Sequence, residues 1–191
     1  MTIYLDLDET LIHAVPGRPG MGLGSRVVVN AGLKTNGRND TYHTALRDSA
    51  HTLIQRCRAA APTKILTTAA REYAIAQNQT FSFGFSEDDI IAREDFLEPT
   101  STAYGGEDLL VKKVRQCPNA LLIDNLPAHE PSAKRKMLFL GINPDRYIQI
   151  REFIGCKDPD KFRGELLGIF QRIERETTPK KPQQNLCPEM C

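Results

Sequence analysis

Short apolar, β-prone runs alternate with helical patterns along this chain, and that alternation restricts the folds open to it. The runs at residues 2–5, 64–67 and 120–124 are rich in Ile and Leu and too short for stable helices. Between them, apolar residues recur near the helical period over residues 50–61, and residues 70–79 form a second predicted helix. Strands that alternate with helices predict right-handed βαβ units and a parallel sheet with helices on both faces. The predicted fold class is α/β.

The rest of the chain predicts a hairpin insert, two further strands and two further helices. Turn-rich sequence separates β-prone pieces between residues 13 and 45, which is typical of a hairpin or flap. Strands are expected at residues 87–91 and 137–142, and helices at 107–116 and around 162–173. None of these segments is long enough to form a large cap domain.

The length and composition fit a single globular domain. The chain has 191 residues, of which 40% are hydrophobic and 26% are charged, close to ordinary usage. We expect one domain over residues 1–176, with residues 13–45 as its flap insert. Residues 177–191 are rich in Pro, Lys and Gln, which predicts a disordered tail.

The charge balance and the cysteines argue against several classes of protein. The net charge is +1, so no global field attracts nucleic acid or an anionic membrane. No apolar run approaches the roughly 20 residues that span a bilayer. The first residues show no secretory signal, and five scattered cysteines do not suggest a disulfide framework. We therefore expect a cytoplasmic protein that is not secreted, or a nuclear one if the source is eukaryotic.

Two carboxylates follow the first predicted strand at a spacing of two residues. Residues two apart in extended chain lie on the same side, so Asp6 and Asp8 can face one point beyond the strand. In α/β proteins, ligands bind in the crevice at the carboxyl ends of the strands. Two adjacent carboxylates repel each other, and Mg²⁺ with its oxygen ligands relieves that repulsion. The ordinary alternative is an Asp-rich turn that faces water.

Three further features favour a ligand site over such a turn. Thr10 follows Asp8 at a spacing of two, Thr67 ends the second strand, and Asp124 and Asn125 end the third. Because the carboxyl ends of parallel strands meet at one edge, groups that bind phosphate or metal are expected to converge there.

Four segments at these positions resemble a known family. Residues 6–13, Asp-Leu-Asp-Glu-Thr-Leu-Ile-His, resemble the first motif of the haloacid dehalogenase superfamily, in the form used by RNA polymerase II C-terminal-domain phosphatases. Residues 66–69 with 72–74 are similar to the second motif of that branch, and residues 122–128 to its fourth. The hairpin at 26–44 sits where those enzymes carry a β-rich insert.

The resemblance covers residues 2–175 and implies a Rossmann-like haloacid dehalogenase core. It implies that Asp6 is a nucleophile that forms an aspartyl-phosphate, and that Asp8 is the general acid and base. Mg²⁺ would be held by Asp6, by the backbone carbonyl of Asp8, and by Asn125 or Asp124. Electrostatic stabilisation at the metal and at cationic groups would lower the barrier.

The resemblance also implies how the phosphoryl group would be bound, with one departure from the family pattern. Thr10 and Thr67 would contact the phosphate. The family places a lysine just before an Asp-Leu pair in its third motif, but Glu107 stands there in this chain. Lys112 and Lys113 lie one turn later on the predicted helix 107–116, so one of them is expected to bind phosphate. Otherwise both are solvated, as is expected for the basic cluster at 134–136.

Together these features predict a Mg²⁺-dependent phosphomonoester hydrolase. The lack of a cap leaves the site open, which favours a phosphoserine or phosphothreonine protein or another large substrate. A phosphatase of nucleotides or polynucleotide ends is the alternative, although the chain lacks a wide basic surface. A second alternative is a catalytically silent module that binds phosphopeptides.

Overall fold

The computed structural model of the chain describes residues 1–17, 27–35, 38–101, 107–112, 114–115, 117–155 and 160–178. In chain order, the described residues form β1 (Ile3–Leu5), β2 (Ile12–Pro16), β3 (Val27–Thr35), β4 (Arg38–Leu46), α1 (Ala50–Ala60), β5 (Thr63–Leu66), α2 (Arg71–Thr80), β6 (Ile90–Ile91), α3 (Arg93–Phe96), β7 (Leu97–Ser101), β8 (Glu107–Val111), β9 (Leu121–Asp124), α4 (Pro131–Leu140), β10 (Tyr147–Gln149) and α5 (Asp160–Thr177).

A parallel sheet lies at the centre of the molecule, as the sequence predicts. Among the described residues it has five strands in the order β10-β9-β1-β5-β6, and each pairing is parallel. Leu5 at the end of β1 pairs with Ile65 of β5 and with Ile123 of β9. This register brings the residues that follow the three strands to the same edge of the sheet.

Helices cover both faces of this sheet, because alternate residues of each buried strand point to opposite sides. Ile3 and Leu5 of β1 belong to one core cluster, which includes Leu53 of α1 and residues of α2 and α5. Tyr4, between them, belongs to a second cluster with Leu140 of α4. All five of these side chains are buried. The doubly covered parallel sheet confirms the predicted fold class.

The predicted flap is an antiparallel sheet. Strands β3 and β4 form the expected hairpin, with an irregularity in register between Asn30 and Lys34. Strand β2 pairs with the other side of β4, so the described flap has three strands in the order β2-β4-β3. The flap therefore begins directly after the loop that carries Asp6 and Asp8, and it packs against α2.

Two predicted elements are wrong. Residues 107–111 are strand β8, which pairs antiparallel with β7 from Leu97 opposite Val111 onwards, and not the start of a helix. Residues 137–142 are not a strand, because α4 runs through Leu140 and ends at Gly141. Pro131 in the first turn and Gly141 with a φ of 66° are ordinary helix start and stop signals. Pairing with β7 in a hairpin overrides the helical propensity of the first segment.

Three of the other helices agree with the sequence prediction to within a few residues, whereas the short helix α3 was not predicted. Helices α1 and α2 occupy the segments predicted at 50–61 and 70–79, and α5 extends the closing helix to Thr177. Strand β10 was not predicted. No helix in the described part of the chain is both long and apolar enough to cross a membrane. Most of the predicted disordered tail, residues 179–191, lies outside the described residues, so that expectation and the domain bounds stay predictions.

Candidate active site

Two buried carboxylates lie side by side at the carboxyl edge of the sheet. Asp6 follows β1 and Asp124 ends β9, and the pairing of Leu5 with Ile123 places these two residues in register. Asp6 is 5% exposed and Asp124 is fully buried. Like charges this close would repel strongly in a medium of low dielectric constant unless a cation lies between them or one of them takes up a proton.

Lys136 of α4 supplies that cation. Its Nζ atom donates hydrogen bonds to Oδ1 of Asp6 at 2.6 Å and to Oδ2 of Asp124 at 2.7 Å. Lys136 itself is 1% exposed. A buried ammonium with two carboxylate partners satisfies the rule that buried charges are paired and hydrogen-bonded. Lys136 therefore lies where a positive charge can act on both carboxylates.

The helical position of Lys136 explains how a charged side chain reaches the interior. Ala133, Met137 and Leu140 form the buried face of α4, and Lys136 lies on the same face. Its methylene stem packs among apolar side chains while the ammonium reaches the strand ends. The expectation that residues 134–136 are all solvated is therefore wrong for Lys136. The spacing of Lys136 from Ala133 and Leu140 indicates that it lies on the buried face, but only once the segment is recognised as a helix.

Burial and the charge of the ion-pair partner have opposite effects on the pKa of Asp6 and on that of Lys136. Burial raises the pKa of Asp6 to about 8, Lys136 opposes that rise, and Asp124 adds to it. Burial alone would lower the pKa of Lys136, but the charges of Asp6 and Asp124 raise it above its ordinary value. Lys136 is thus held in its charged form. A further cation beside Asp6 would lower its pKa and favour the ionised carboxylate.

Asp8 lies half-buried, and a tyrosine from α2 binds it. The hydroxyl of Tyr73 donates a hydrogen bond to Oδ1 of Asp8. Burial raises the pKa of Asp8, although Tyr73, Lys136 and His13 each oppose that rise. Burial and the nearby Asp8 charge raise the pKa of Tyr73, so its phenol keeps its proton and remains a donor. A carboxyl with a raised pKa is suited to general acid and base chemistry near neutral pH.

The loop that carries both aspartates has a tightly bonded turn. Glu9 has a φ of 59°, a left-handed conformation that few residues other than Gly and Asn adopt. Its carbonyl accepts hydrogen bonds from the Phe153 amide at 2.7 Å and from Nη2 of Arg47 at 3.3 Å. Its side chain lies 2.6 Å from Nδ1 of His13. These contacts fix the backbone immediately after Asp8.

Thr10 and Asn125 support each other across the two loops. The Thr10 hydroxyl donates to Oδ1 of Asn125 at 3.2 Å and accepts from the Asn125 amide at 3.1 Å. Asp124 is held as well, because its Oδ1 accepts from the Leu126 amide at 2.9 Å. The contacts of Thr10 orient Asn125, so they differ from the direct phosphate contact that the resemblance implied for Thr10.

Thr67 lies at the end of β5, next to the aspartate pair in strand order. Its hydroxyl oxygen accepts a hydrogen bond from the Ala69 amide at 3.0 Å, which fixes the side chain. The hydroxyl proton is then directed away from that bond and can donate to a ligand. Beside it, Thr68 accepts from the hydroxyl of Ser132 in the first turn of α4 at 3.4 Å.

Lys112, one of the two lysines expected to bind phosphate, is not part of this cluster. Lys112 follows strand β8, is exposed, and donates from Nζ to the carbonyl of Glu94 at 3.3 Å. Lys113 lies outside the described residues. The argument for Lys112 assumed a helix over 107–116, and that helix is replaced by β8. The ammonium that contacts Asp6 belongs to Lys136 of α4, the helix that follows β9 in the sequence.

The oxygen atoms at this edge suit a hard divalent cation. Asp6 offers a carboxylate of which only Oδ1 bonds Lys136, Asn125 offers an amide oxygen, and the resemblance implies the backbone carbonyl of Asp8 as a third ligand. Mg²⁺ prefers such oxygen donors together with water. Within the described ranges, no three His, Cys, Asp or Glu side chains converge as a metal site. A site with one carboxylate, one amide oxygen and one backbone carbonyl does not have three such side chains. All three ligands are oxygen atoms, so they suit Mg²⁺.

A parallel sheet covered by helices on both faces, with Asp6 beyond its central strand β1 and Asp124 at the end of the neighbouring strand β9, agrees with a haloacid dehalogenase-like fold. Comparison with protein families gives the same assignment: the model of the NLI interacting factor-like phosphatases matches residues 1–179. The chain therefore belongs to the NLI interacting factor-like phosphatase family. A search of curated proteins gave no significant match.

Solved structures of similar fold come from RNA polymerase II C-terminal-domain phosphatases. The chain is 14% identical to a variant of fission yeast Fcp1 bound to beryllium fluoride, with a TM-score of 0.54, covering 92% of this chain and 51% of that one. It is 16% identical to a second structure of Fcp1, an essential RNA polymerase II CTD phosphatase, with a TM-score of 0.54, covering 95% of this chain and 55% of that one. At these identities the likeness shows the fold. The chain spans about half the length of each of these structures.

Proposed function

We propose that this phosphatase hydrolyses phosphomonoesters through an aspartyl-phosphate on Asp6. The observation that supports this most directly is the buried trio of Asp6, Asp124 and Lys136, in which Lys136 bridges the two carboxylates. A carboxylate nucleophile splits one difficult displacement into two easier ones. The membership of the chain in a phosphatase family agrees with this chemistry.

The first step transfers the phosphoryl group to Asp6. An oxygen of Asp6 bonds to phosphorus, the bond from phosphorus to the ester oxygen breaks, and Asp8 gives its proton to the departing oxygen. In the second step Asp8 takes a proton from water, and the water oxygen attacks the phosphorus. The bond between phosphorus and the Asp6 oxygen breaks, which releases inorganic phosphate and restores the Asp6 carboxylate. The pKa of Asp8, raised by burial, suits both transfers.

The remaining groups bind and orient the phosphoryl group. Lys136 lies beside Asp6, so its ammonium is positioned to stabilise the negative charge that develops on the phosphoryl oxygens. Thr67 would donate its hydroxyl proton to one of those oxygens. When bound, Mg²⁺ neutralises charge on the phosphoryl oxygens and helps to align them with the nucleophile. Asp6, the Asp8 carbonyl and Asn125 would hold it, because Asp124 already binds Lys136 and the Leu126 amide.

We further propose that the substrate is a phosphoserine or phosphothreonine protein. The described insert after Asp8 is a flap of three strands, and the described residues between Thr67 and β9 form a helix, short strands and a hairpin. None of these described elements forms a separate cap domain, so we expect a substrate as large as a protein to reach the edge of the sheet. The solved structures of similar fold are phosphatases of a protein substrate. A phosphoprotein substrate would place the protein in the cytoplasm or the nucleus.

A panel of substrates tests this proposal. We expect release of phosphate from phosphoserine and phosphothreonine peptides to exceed release from nucleotides and 5′- or 3′-phosphorylated oligonucleotides. Turnover should stop with EDTA, return with Mg²⁺, and be absent from Asp6→Asn. Asp89→Asn is the matched control, since Asp89 pairs with Lys64 on the surface. Preference for nucleotides would overturn the substrate assignment, and an active Asp6→Asn would overturn the mechanism.

A further inference from the structure

The proposed acid, Asp8, is held by a side chain from a different part of the chain. Tyr73, on α2, is 5% exposed and donates its hydroxyl proton to Oδ1 of Asp8. The two residues are 65 positions apart in the sequence, so folding of α2 onto the Asp8 loop brings them together. The contact thus joins a core helix to the proposed site of proton transfer.

This hydrogen bond makes the two oxygens of Asp8 unequal. An aspartate carboxyl group turns easily about its terminal bond, so without a partner either oxygen can carry the proton. Because Tyr73 donates to Oδ1, that oxygen acts as an acceptor. The proton of the neutral acid is then carried by Oδ2, the oxygen left to face a leaving group.

Contacts between α2 and the flap hold Tyr73 in place. The ring of Tyr42 on β4 packs edge-on against the ring of Tyr73, with centroids 4.8 Å apart and an interplanar angle of 67°. One helical turn later, Gln77 donates from Nε2 to the hydroxyl of Thr44 on the same strand at 3.1 Å. Two successive turns of α2 thus contact two alternate residues of β4. This double contact limits movement of the Tyr73 hydroxyl.

We propose that Tyr73 is a positioning residue that fixes which oxygen of Asp8 carries the proton to the leaving group. The inference rests on the proposed function, in which Asp8 protonates the departing oxygen. Its consequence is specific: loss of the Tyr73 hydroxyl harms reactions that need a proton on the leaving group. Reactions with leaving groups that depart as stable anions are affected much less.

The test measures kcat for phosphate monoesters that differ in their leaving group, from alkyl phosphates and phosphoserine peptides to 4-nitrophenyl phosphate. Tyr73→Phe keeps the ring and its contact with Tyr42 but removes the hydroxyl. We expect kcat to fall about tenfold or more for the alkyl esters, the size of one hydrogen bond to a charged group, and little for 4-nitrophenyl phosphate. KM should change little in either case.

Tyr4→Phe is the matched control. It removes another buried phenol hydroxyl, in the second core cluster with α4 and away from Asp8. We expect it to leave the dependence on the leaving group as in the unmodified protein. A second measurement on Tyr73→Phe is the ¹⁸O isotope effect at the bridging oxygen of 4-nitrophenyl phosphate. We expect it to increase, because the leaving oxygen receives less of its proton in the transition state.

The outcomes separate this inference from the proposed function. If Asp8→Asn selectively lowers kcat for alkyl esters and Tyr73→Phe does not, the positioning role is overturned while the proposed mechanism stands. An equal loss for every leaving group in Tyr73→Phe would show a merely structural role and also overturn the inference. If the unmodified protein turns over no ester, or Asp8→Asn shows no selectivity, the proposed function and this inference fail together.

Discussion

Replacement of Lys136 by methionine tests the centre of the site, because it removes the charge and keeps most of the volume. In the folded protein the Lys136 ammonium lies 2.6 Å from Asp6 and 2.7 Å from Asp124, and all three groups are buried. Lys136→Met leaves two carboxylates side by side without a compensating cation. Either at least one carboxylate takes up a proton, or both remain charged in a medium of low dielectric constant, where the unpaired charges destabilise the fold.

Two losses of different size follow from that geometry. Breaking a buried ion pair by removing one partner costs about 3–5 kcal/mol, so we expect the free energy of unfolding to fall by about 3 kcal/mol in EDTA. Loss of a group that stabilises developing negative charge lowers kcat by about 10²-fold to 10³-fold. Urea denaturation measures the first loss, and release of phosphate at saturating substrate with Mg²⁺ measures the second.

A second substitution separates these two effects. Asp124→Asn in the Lys136→Met background removes one of the unbalanced carboxylates, so it should recover much of the lost stability. It should not recover kcat, because the cation beside the phosphoryl group is still missing. Lys134→Met is the matched control, since Lys134 is exposed on the same helix. If Lys136→Met were as stable and as active as Lys134→Met, the assignment of the buried cation would be refuted.

Three further predictions follow from particular side chains. Lys112→Ala should leave kcat nearly unchanged, since the Lys112 ammonium binds the carbonyl of Glu94; a tenfold loss, about 1.4 kcal/mol, would contradict this. Gly141→Ala should reduce the free energy of unfolding by about 1 kcal/mol in urea, because Gly141 ends α4 with a φ of 66°; an unchanged midpoint would count against it. Burial raises the pKa of the Cys57 thiol to about 12, so iodoacetamide at pH 8 should leave Cys57 unmodified and activity intact, and alkylation of the native protein detected by peptide mass spectrometry would argue otherwise.

The sheet and the aspartates at its edge could be predicted from the sequence because short-range patterns determine them. Strands β9, β1 and β5 are marked by short apolar runs, and the polar residue that ends or follows each one lies at the carboxyl edge. Asp6 and Asp124 meet because β1 and β9 are neighbours with Leu5 opposite Ile123. The sequence predicts which residues end strands. Strand order within the sheet depends on packing between distant parts of the chain.

The hairpin of β7 and β8 shows where such reasoning fails. Residues 107–111 contain one Glu and two Leu, which favour a helix when only local propensity is considered. In the folded chain Val111 pairs with Leu97, and the Lys112 amide donates to the carbonyl of Phe96 at 2.9 Å. Pairing in a hairpin depends on both strands at once, so the local helix propensity of one segment does not reveal it. The error matters because it placed Lys112 on a helical face that does not exist.

The Lys136 ammonium reaches the aspartate pair from the helix that follows β9. Helix α4 begins at the carboxyl edge of the sheet, where Ser132 in its first turn contacts Thr68. The segment before β9 lies at the other end of α4, where the Cys117 amide donates to the carbonyl of Leu140 at 2.7 Å. In this chain Glu107 occupies the motif position where the family has lysine, and α4 carries Lys136 on its buried face instead. A single lysine in an apolar helical stripe is costly to bury without a partner, so its presence there indicates buried carboxylates within reach.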